Sequence, residues 1–263
     1  MIENNQVFII ESCEKFMIIC EIGLNHMGNE KYAINYVRKI IKAKADGILF
    51  HIREKSFYRK HPELELSDNF YFLISKLIKK KKIKFGITIS NSEKIKFCEK
   101  INVDFYKILS KDILNTEIIN NIKLTKKKTF VSTGMSDFDE IKKFVNLIKN
   151  NKKQFTLIHT QLDSNIEKVN LKAILLLKEK LKMNIAYGNH ASNIFAIYVS
   201  IAYEPSDLFF YVKGNKYKKH NDELHAIKLD CLKNFIENLR ELEKAIGNKT
   251  KIKMEPNIHS MFN

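Results

Sequence analysis

Residues 84–134 read KFGITISNSEKIKFCEKINVDFYKILSKDILNTEIINNIKLTKKKTFVSTG, and the alternation inside this stretch decides the fold. Three short apolar runs, KFGITIS (84–90), DFYKILS (104–110) and TFVSTG (129–134), are rich in β-branched and aromatic residues. Each has the length and character of a parallel strand buried on both faces. Between them, 92–101 and 116–123 space their apolar residues three and four apart, as amphipathic helices do. Parallel neighbours need a crossover rather than a hairpin, and these helices supply it.

The same unit repeats outward in both directions. FMIICEIGL (16–24) and GILFHIR (47–53) lie upstream, and FTLIHTQ (155–161), NIAYGNH (184–190) and LFFYVK (208–213) downstream. Helical patterns fall at 29–45, 69–80, 137–150, 171–181, 192–203 and 230–246, with Gly247 as a stop for the last. Ser92, followed by Glu93 and Lys94, reads as an N-cap. Eight strand–helix units in strict alternation predict a TIM-type (β/α)8 barrel, a fold of about 250 residues. The expectation is one α/β domain over residues 1–263. VFII (7–10) and the polar turn after it predict a short N-terminal hairpin closing the bottom of the barrel. Residues 54–68 and 214–229 read as long loops, where such a barrel keeps its ligand contacts.

Composition narrows the function classes. A hydrophobic fraction of 44% is enough for a core without disulfide or metal staples. No run approaches the ~18 apolar residues of a membrane span, and the N-terminus is too short and polar for a signal peptide. Cys13, Cys20, Cys98 and Cys231 are scattered, which fits a reducing cytoplasm. The net charge of +16 comes mostly from lysines spread along helices, as in KYAINYVRKIIKAKA, and not gathered beside aromatics. This pattern argues against a nucleic-acid partner, as the lack of an apolar span does against a membrane one, although the charge speeds encounter with a small anion.

Polar residues at the C-terminal ends of barrel strands are the candidates for chemistry. That rim holds Glu21, Asn25 and His26, then His51 and Arg53, Thr88 and Ser90, Lys107 and Ser110, and Ser132 with Thr133. His159, Gln161 and Asp163 follow, then Asn189 and His190, Lys213, and Asp222 with His225 in the last loop. Strand parity groups His51 with Arg53, and His159 with Gln161 and Asp163. A lysine midway along an apolar strand, as at Lys107, must reach the mouth or find a partner, and the same holds for Glu21.

Four segments resemble the N-acetylneuraminate (sialic acid) synthase family. EIGLNHMG is similar to its first-strand signature and VSTGM to its fifth-strand motif. KILS matches the segment with a Lys and a Ser, and ENLRELEKAIG its final helix. The resemblance implies condensation of phosphoenolpyruvate with an N-acylated amino sugar, giving a nonulosonic acid. It places Thr88, Lys107, Ser110 and Ser132 at the phosphoenolpyruvate pocket. Glu21 and Asp222 become carboxylates at the sugar end, and His190 one of two histidines binding a divalent metal, Mn or Mg.

Departures from the family pattern accompany these matches. Leu49 stands where a phosphoenolpyruvate-binding lysine is expected, Val212 where the second metal-binding histidine is, and Gly188 where a serine is. The metal site is therefore expected to be weakened, with His51 or His159 as replacement ligands for His190 and with Arg53 as replacement cation. The C-terminal antifreeze-like domain of the family is expected to be lacking. Two function classes stay open: a divergent condensing transferase, and a degenerate barrel that binds or assembles with an active synthase. A homodimer, or a heteromer with a full-length synthase, is expected in either case.

Overall fold

The computed structural model describes residues 16–217, 219–247, 250–251 and 253. The expected hairpin at 7–10 lies outside these residues. All eight expected strands form: β1 (Met17–Gly23), β2 (Gly47–Ile52), β3 (Lys84–Ile89) and β4 (Phe105–Ile108), then β5 (Lys128–Ser132), β6 (Phe155–His159), β7 (Ile185–Gly188) and β8 (Asp207–Lys213). They pair in parallel in sequence order, and β8 pairs back onto β1 to close the barrel. A two-residue strand, β9 (Ile227–Lys228), extends β8 at the end of the last loop.

The helices cover the outside: α1 (Glu30–Lys42), α2 (Lys55–Lys60), α3 (Asp68–Lys80), α4 (Ile95–Lys100) and α5 (Thr116–Thr125), followed by α6 (Phe138–Leu147), α7 (Ala173–Leu181), α8 (Phe195–Ser200) and α9 (Leu232–Ile246). The long loop after β2 carries α2, a helix the residue pattern did not suggest. Asn91, not Ser92, supplies the cap before α4 by accepting from the Glu93 N–H, while Ser92 bonds to Glu117 across to α5. Gly247 ends α9 at a φ of 62°. Among the described residues no helix is long and apolar enough to cross a membrane.

Two hydrophobic layers hold the barrel. Outward-facing strand residues pack against helix residues such as Tyr36, Ile74 and Phe144 in a continuous shell. Inside, Ile19, Leu49, Phe105, Phe130, Ile158, Ala186 and Phe209 form a separate plug. Seven strands contribute one residue each, and on β3 the side chain is missing at Gly86. The Phe105 ring fills that space, so closely that a Cβ on Gly86 would stand 2.2 Å from it. The barrel is therefore a packed core, and its polar chemistry is confined to the layer above the plug.

Candidate active site

Counting two residues on from each plug position gives the next inward-facing layer, because strand side chains alternate. That layer reads Glu21, His51, Thr88, Lys107, Ser132, Thr160, Gly188 and Tyr211. Every plug residue is apolar, while seven of the eight positions above carry a polar group. The change of chemistry between two adjacent layers defines the mouth.

The layer is tied across its centre. Lys107 Nζ donates to both oxygens of Glu21 at 2.7 Å, and each side chain is almost wholly buried. β1 and β4 are not neighbours, so this contact spans the barrel interior. The ammonium also lies 5.4 Å from the centre of the Phe209 ring in the plug. His51 sits beside the pair with Nε2 3.4 Å from Ser90 Oγ. Burial, and then the nearby cations Arg53 and Lys107, hold its imidazole well below the usual range. Thr88 is the register partner of both His51 and Lys107, and Ser132 closes the same side. Ser110 is buried at the start of the short turn after β4.

Arg53 belongs to this rim, but its guanidinium is already engaged. It donates to both oxygens of Glu54 at 3.0 and 3.1 Å and stacks 4.0 Å over the Phe57 ring.

The opposite side of the mouth is built by the loop after β8. Asn25, from the NHMG turn, donates to the Val212 carbonyl at 2.9 Å and accepts the Asp222 N–H at 3.0 Å. The side chain of one turn thereby ties the end of β8 to Asp222 in the loop that follows it. Tyr32 and Tyr36 of α1 hold the loop from outside, through His220 and the Gly214 N–H respectively. Gly23, at a φ of 55°, leaves room for the assembly. A Cβ there would stand 2.7 Å from the Tyr211 ring and 3.3 Å from Asp222 Oδ2.

Asp222 lies in a desolvated place beside Glu21, so its carboxyl is pushed up to about 7, although Lys107 opposes the shift. His190, projecting from the end of β7, and His225 face each other with ring centres 4.6 Å apart. Burial holds His190 down at about 3 and His225 at about 4, so both are neutral at pH 7. His225 Nε2 is buried without a hydrogen-bond partner, 3.7 Å from Asp222 Oδ1. Since that imidazole is neutral, this approach is not an ion pair. Tyr211 packs against both rings at 5.7 and 5.2 Å.

Three expectations need correction. His159 does not reach the mouth: Ile158 is the inward residue of β6, so His159 turns outward. There its Nε2 bonds the Val169 carbonyl at 3.0 Å. Gln161 and Asp163 accordingly do not join it in the mouth, and the inward position is Thr160, whose buried hydroxyl lacks a partner. His51 does face inward, but the ring beside His190 is His225. Val212 packs into the outer shell, and Tyr211 is the β8 residue that stands next to His190.

Among the described residues, no three His, Cys, Asp or Glu side chains form a complete metal-binding group. The donors present are two neutral imidazoles, one with an orphaned nitrogen, and a carboxylate. These are donor types a first-row divalent ion takes, but they do not assemble here into a set that could hold one.

A model of the NeuB family matches residues 31–251. The chain belongs to the NeuB family.

Within reach of this NeuB-family chain, an uncharacterised protein of Methanocaldococcus jannaschii is 31% identical over 254 residues, covering 92% of this chain and 75% of that protein. An N,N'-diacetyllegionaminic acid synthase of Campylobacter jejuni is 24% identical over 269 residues, 90% of this chain and 79% of its own. Among solved structures, the sialic acid synthetase of Leptospira borgpetersenii, in complex with citrate, superposes with a TM-score of 0.82. It is 24% identical, and the match covers 94% of this chain and 89% of the other. At that identity the likeness speaks for the barrel fold.

Proposed function

We propose that this NeuB-family barrel condenses phosphoenolpyruvate, or a closely similar phosphorylated acid, with the aldehyde of an N-acylated amino sugar, in the cytoplasm, to make a nonulosonic-type acid. The observation that carries the reading is the polar layer centred on Glu21 and Lys107. An ammonium has three donors, and Glu21 takes two, leaving one for an incoming carboxylate or phosphate. Thr88 and Ser132 supply hydroxyl donors beside it, and Ser110 lies just above. Arg53 becomes the second cation by exchanging Glu54 for the ligand.

In this reading the pair of electrons in the C2–C3 double bond of phosphoenolpyruvate forms a bond from C3 to the aldehyde carbon. Asp222, held near 7, donates its proton to the aldehyde oxygen as that bond forms. Water then adds at C2 and gives up a proton to the Asp222 carboxylate. Cleavage of the bond from C2 to the phosphate oxygen, with the new hydroxyl's proton passing to the departing phosphate, releases phosphate and leaves a keto group at C2.

The opposing reading, a barrel that binds anions and serves an active synthase without turnover, is favoured by one observation. Leu49 is sealed in the plug at the place where the family resemblance expects a lysine. The test is phosphate release from phosphoenolpyruvate in the presence of Mn²⁺ and a panel of N-acylated amino sugars, with product mass read directly. Sugar-dependent release and the condensed mass support the enzyme. Binding of phosphoenolpyruvate by calorimetry without any sugar-dependent release supports the non-catalytic reading.

A further inference from the structure

We propose that the Thr160 hydroxyl, at the end of β6, is a ligand contact: it donates to an oxygen of a phosphoryl group held over Gly188. The assignment rests on the condensation reading for the identity of the ligand, and on the geometry of the ring for the site.

Lys107, Ser132, Thr160 and Gly188 are consecutive positions of the mouth layer, on or just past β4 to β7. Gly188 contributes no side chain, which leaves a gap in the ring. Thr160 stands at the edge of that gap. A Cβ placed on Gly188 would lie 3.6 Å from Thr160 Cβ and 3.8 Å from its Oγ1. The Thr160 methyl turns the other way, 3.0 Å from where a Cβ on Gly134 would stand. The hydroxyl therefore faces β7 and the methyl faces the end of β5. A methyl group of Ile158, in the plug, would lie 2.8 Å from the same Gly188 Cβ and forms the floor of the gap.

The hydroxyl is also unsatisfied. Thr160 is 3% exposed. Among the described residues, its Oγ1 is the one polar side-chain atom of the mouth layer that is sealed from solvent without a hydrogen-bond partner. Burying such a group costs stability, and an apolar group of the same shape would avoid the cost. For the fold alone, valine is the better residue here.

A phosphoryl oxygen is the partner that accounts for the threonine. It accepts strongly from a hydroxyl because it is charged. Lys107 and Ser132 present donors on the same arc of the ring, and a glycine lets a ligand approach the backbone closely. Leu162 is 49% exposed and packs against Gly134 beside the Thr160 methyl. A ligand reaches the hydroxyl by pushing this side chain toward solvent.

The experiment is calorimetry with two probes, phosphoenolpyruvate and inorganic phosphate. Wild type, Thr160→Val and Thr160→Ser are compared, with melting temperatures measured alongside. Thr160→Val keeps the shape and deletes the hydroxyl. It should bind both probes about tenfold or more weakly, as loss of a hydrogen bond to a charged group requires, while melting at or above the wild-type temperature. Thr160→Ser should bind both as the wild type does. A Thr160→Val variant that binds both probes like the wild type would overturn the assignment and leave the condensation reading standing. A lowered melting temperature in that variant would overturn it as well, by giving the hydroxyl a structural role. Weaker binding of phosphoenolpyruvate with phosphate unchanged would do the same, by moving the contact to the carboxylate. If wild type binds phosphate but not phosphoenolpyruvate, and Thr160→Val loses phosphate, the site stands and the condensation reading fails. Wild type that binds neither probe at millimolar concentration would overturn both.

Discussion

Glu21 and Lys107, 86 residues apart in the chain, form a two-oxygen ion pair across the barrel interior, directly above the apolar plug. A pair so buried is held by its mutual geometry, and removing one member strands the other charge. Lys107→Ala should therefore destabilise the protein by about 3–5 kcal/mol. The double variant Glu21→Gln/Lys107→Met, which leaves no uncompensated charge, should recover most of that loss in urea unfolding. Phosphoenolpyruvate binding should fall by about 1.5–3 kcal/mol in Lys107→Ala and stay low in the double variant, the size of a charge-assisted hydrogen bond. A double variant as unstable as the single one would show that the pair is not the reason for the loss.

The carboxyl of Asp222 titrates near 7 in the folded state and near 3.8 when exposed. Its folded pKa is raised, so the unfolded chain releases this proton first, and the native state loses stability as pH rises between about 4 and 7. His190 and His225 act in the opposite sense, since their lowered values make the native state lose stability as pH falls below about 6.5. Comparison with Asp222→Asn separates the two effects. The variant should gain stability relative to wild type between pH 5 and pH 8, measured by urea midpoints at both. In the condensation assay, the wild-type rate should decline above an apparent pKa of about 7.

Leu49 has no room for charge among Ile19, Phe105 and the other plug residues. Leu49→Lys should lower the melting temperature in plain buffer, because burying an unpaired ammonium is costly. Millimolar phosphoenolpyruvate should return part of the loss if the new ammonium reaches up into the mouth and meets the ligand. An equal drop with and without ligand would place that side chain beyond the pocket's reach.

Restoring an imidazole on β8 should work at one position and fail at its neighbour. Tyr211 stands against His190 and His225, so Tyr211→His should tighten Mn²⁺ binding. Val212 packs in the shell, so Val212→His should cost stability and leave Mn²⁺ affinity unchanged. A titration with Mn²⁺ reads both.

His159 anchors the connection after β6 through the Val169 carbonyl. His159→Ala should cost about 1–3 kcal/mol of stability by leaving that buried acceptor unpaired. Calorimetric binding of phosphoenolpyruvate and of Mn²⁺ should be unaltered. Loss of either ligand in a variant of near-native stability would return His159 to the site.

The barrel and its eight strands were legible because the apolar runs and helical spacings repeat through the chain. Which side of each strand faces the mouth was harder to read. In a parallel sheet covered by helices both faces are apolar, so period-two alternation fades from the strand itself. On β6 the residues FTLIH give no sign that Ile158, and not His159, points inward. A count of two from the plug would have found Thr160 and Tyr211, but the plug is known only once the strands are set against one another. His225 was visible as a loop histidine. Its place beside His190 depends on the path of residues 214–226, which Tyr32, Tyr36 and Asn25 determine from the other end of the chain.

Asn25 joins the first βα turn to partners 187 and 197 positions later. The chemistry side of this barrel is thus a product of its last closure: no folding intermediate lacking the β8–β1 seam can hold Asp222 or His225 in place. Contacts of such sequence separation stabilise the fold only against the entropy of closing a long segment of chain. Ligand affinity for Asp222 and His225 then reports on the ring as a unit, and a substitution at the seam should weaken binding from outside the pocket.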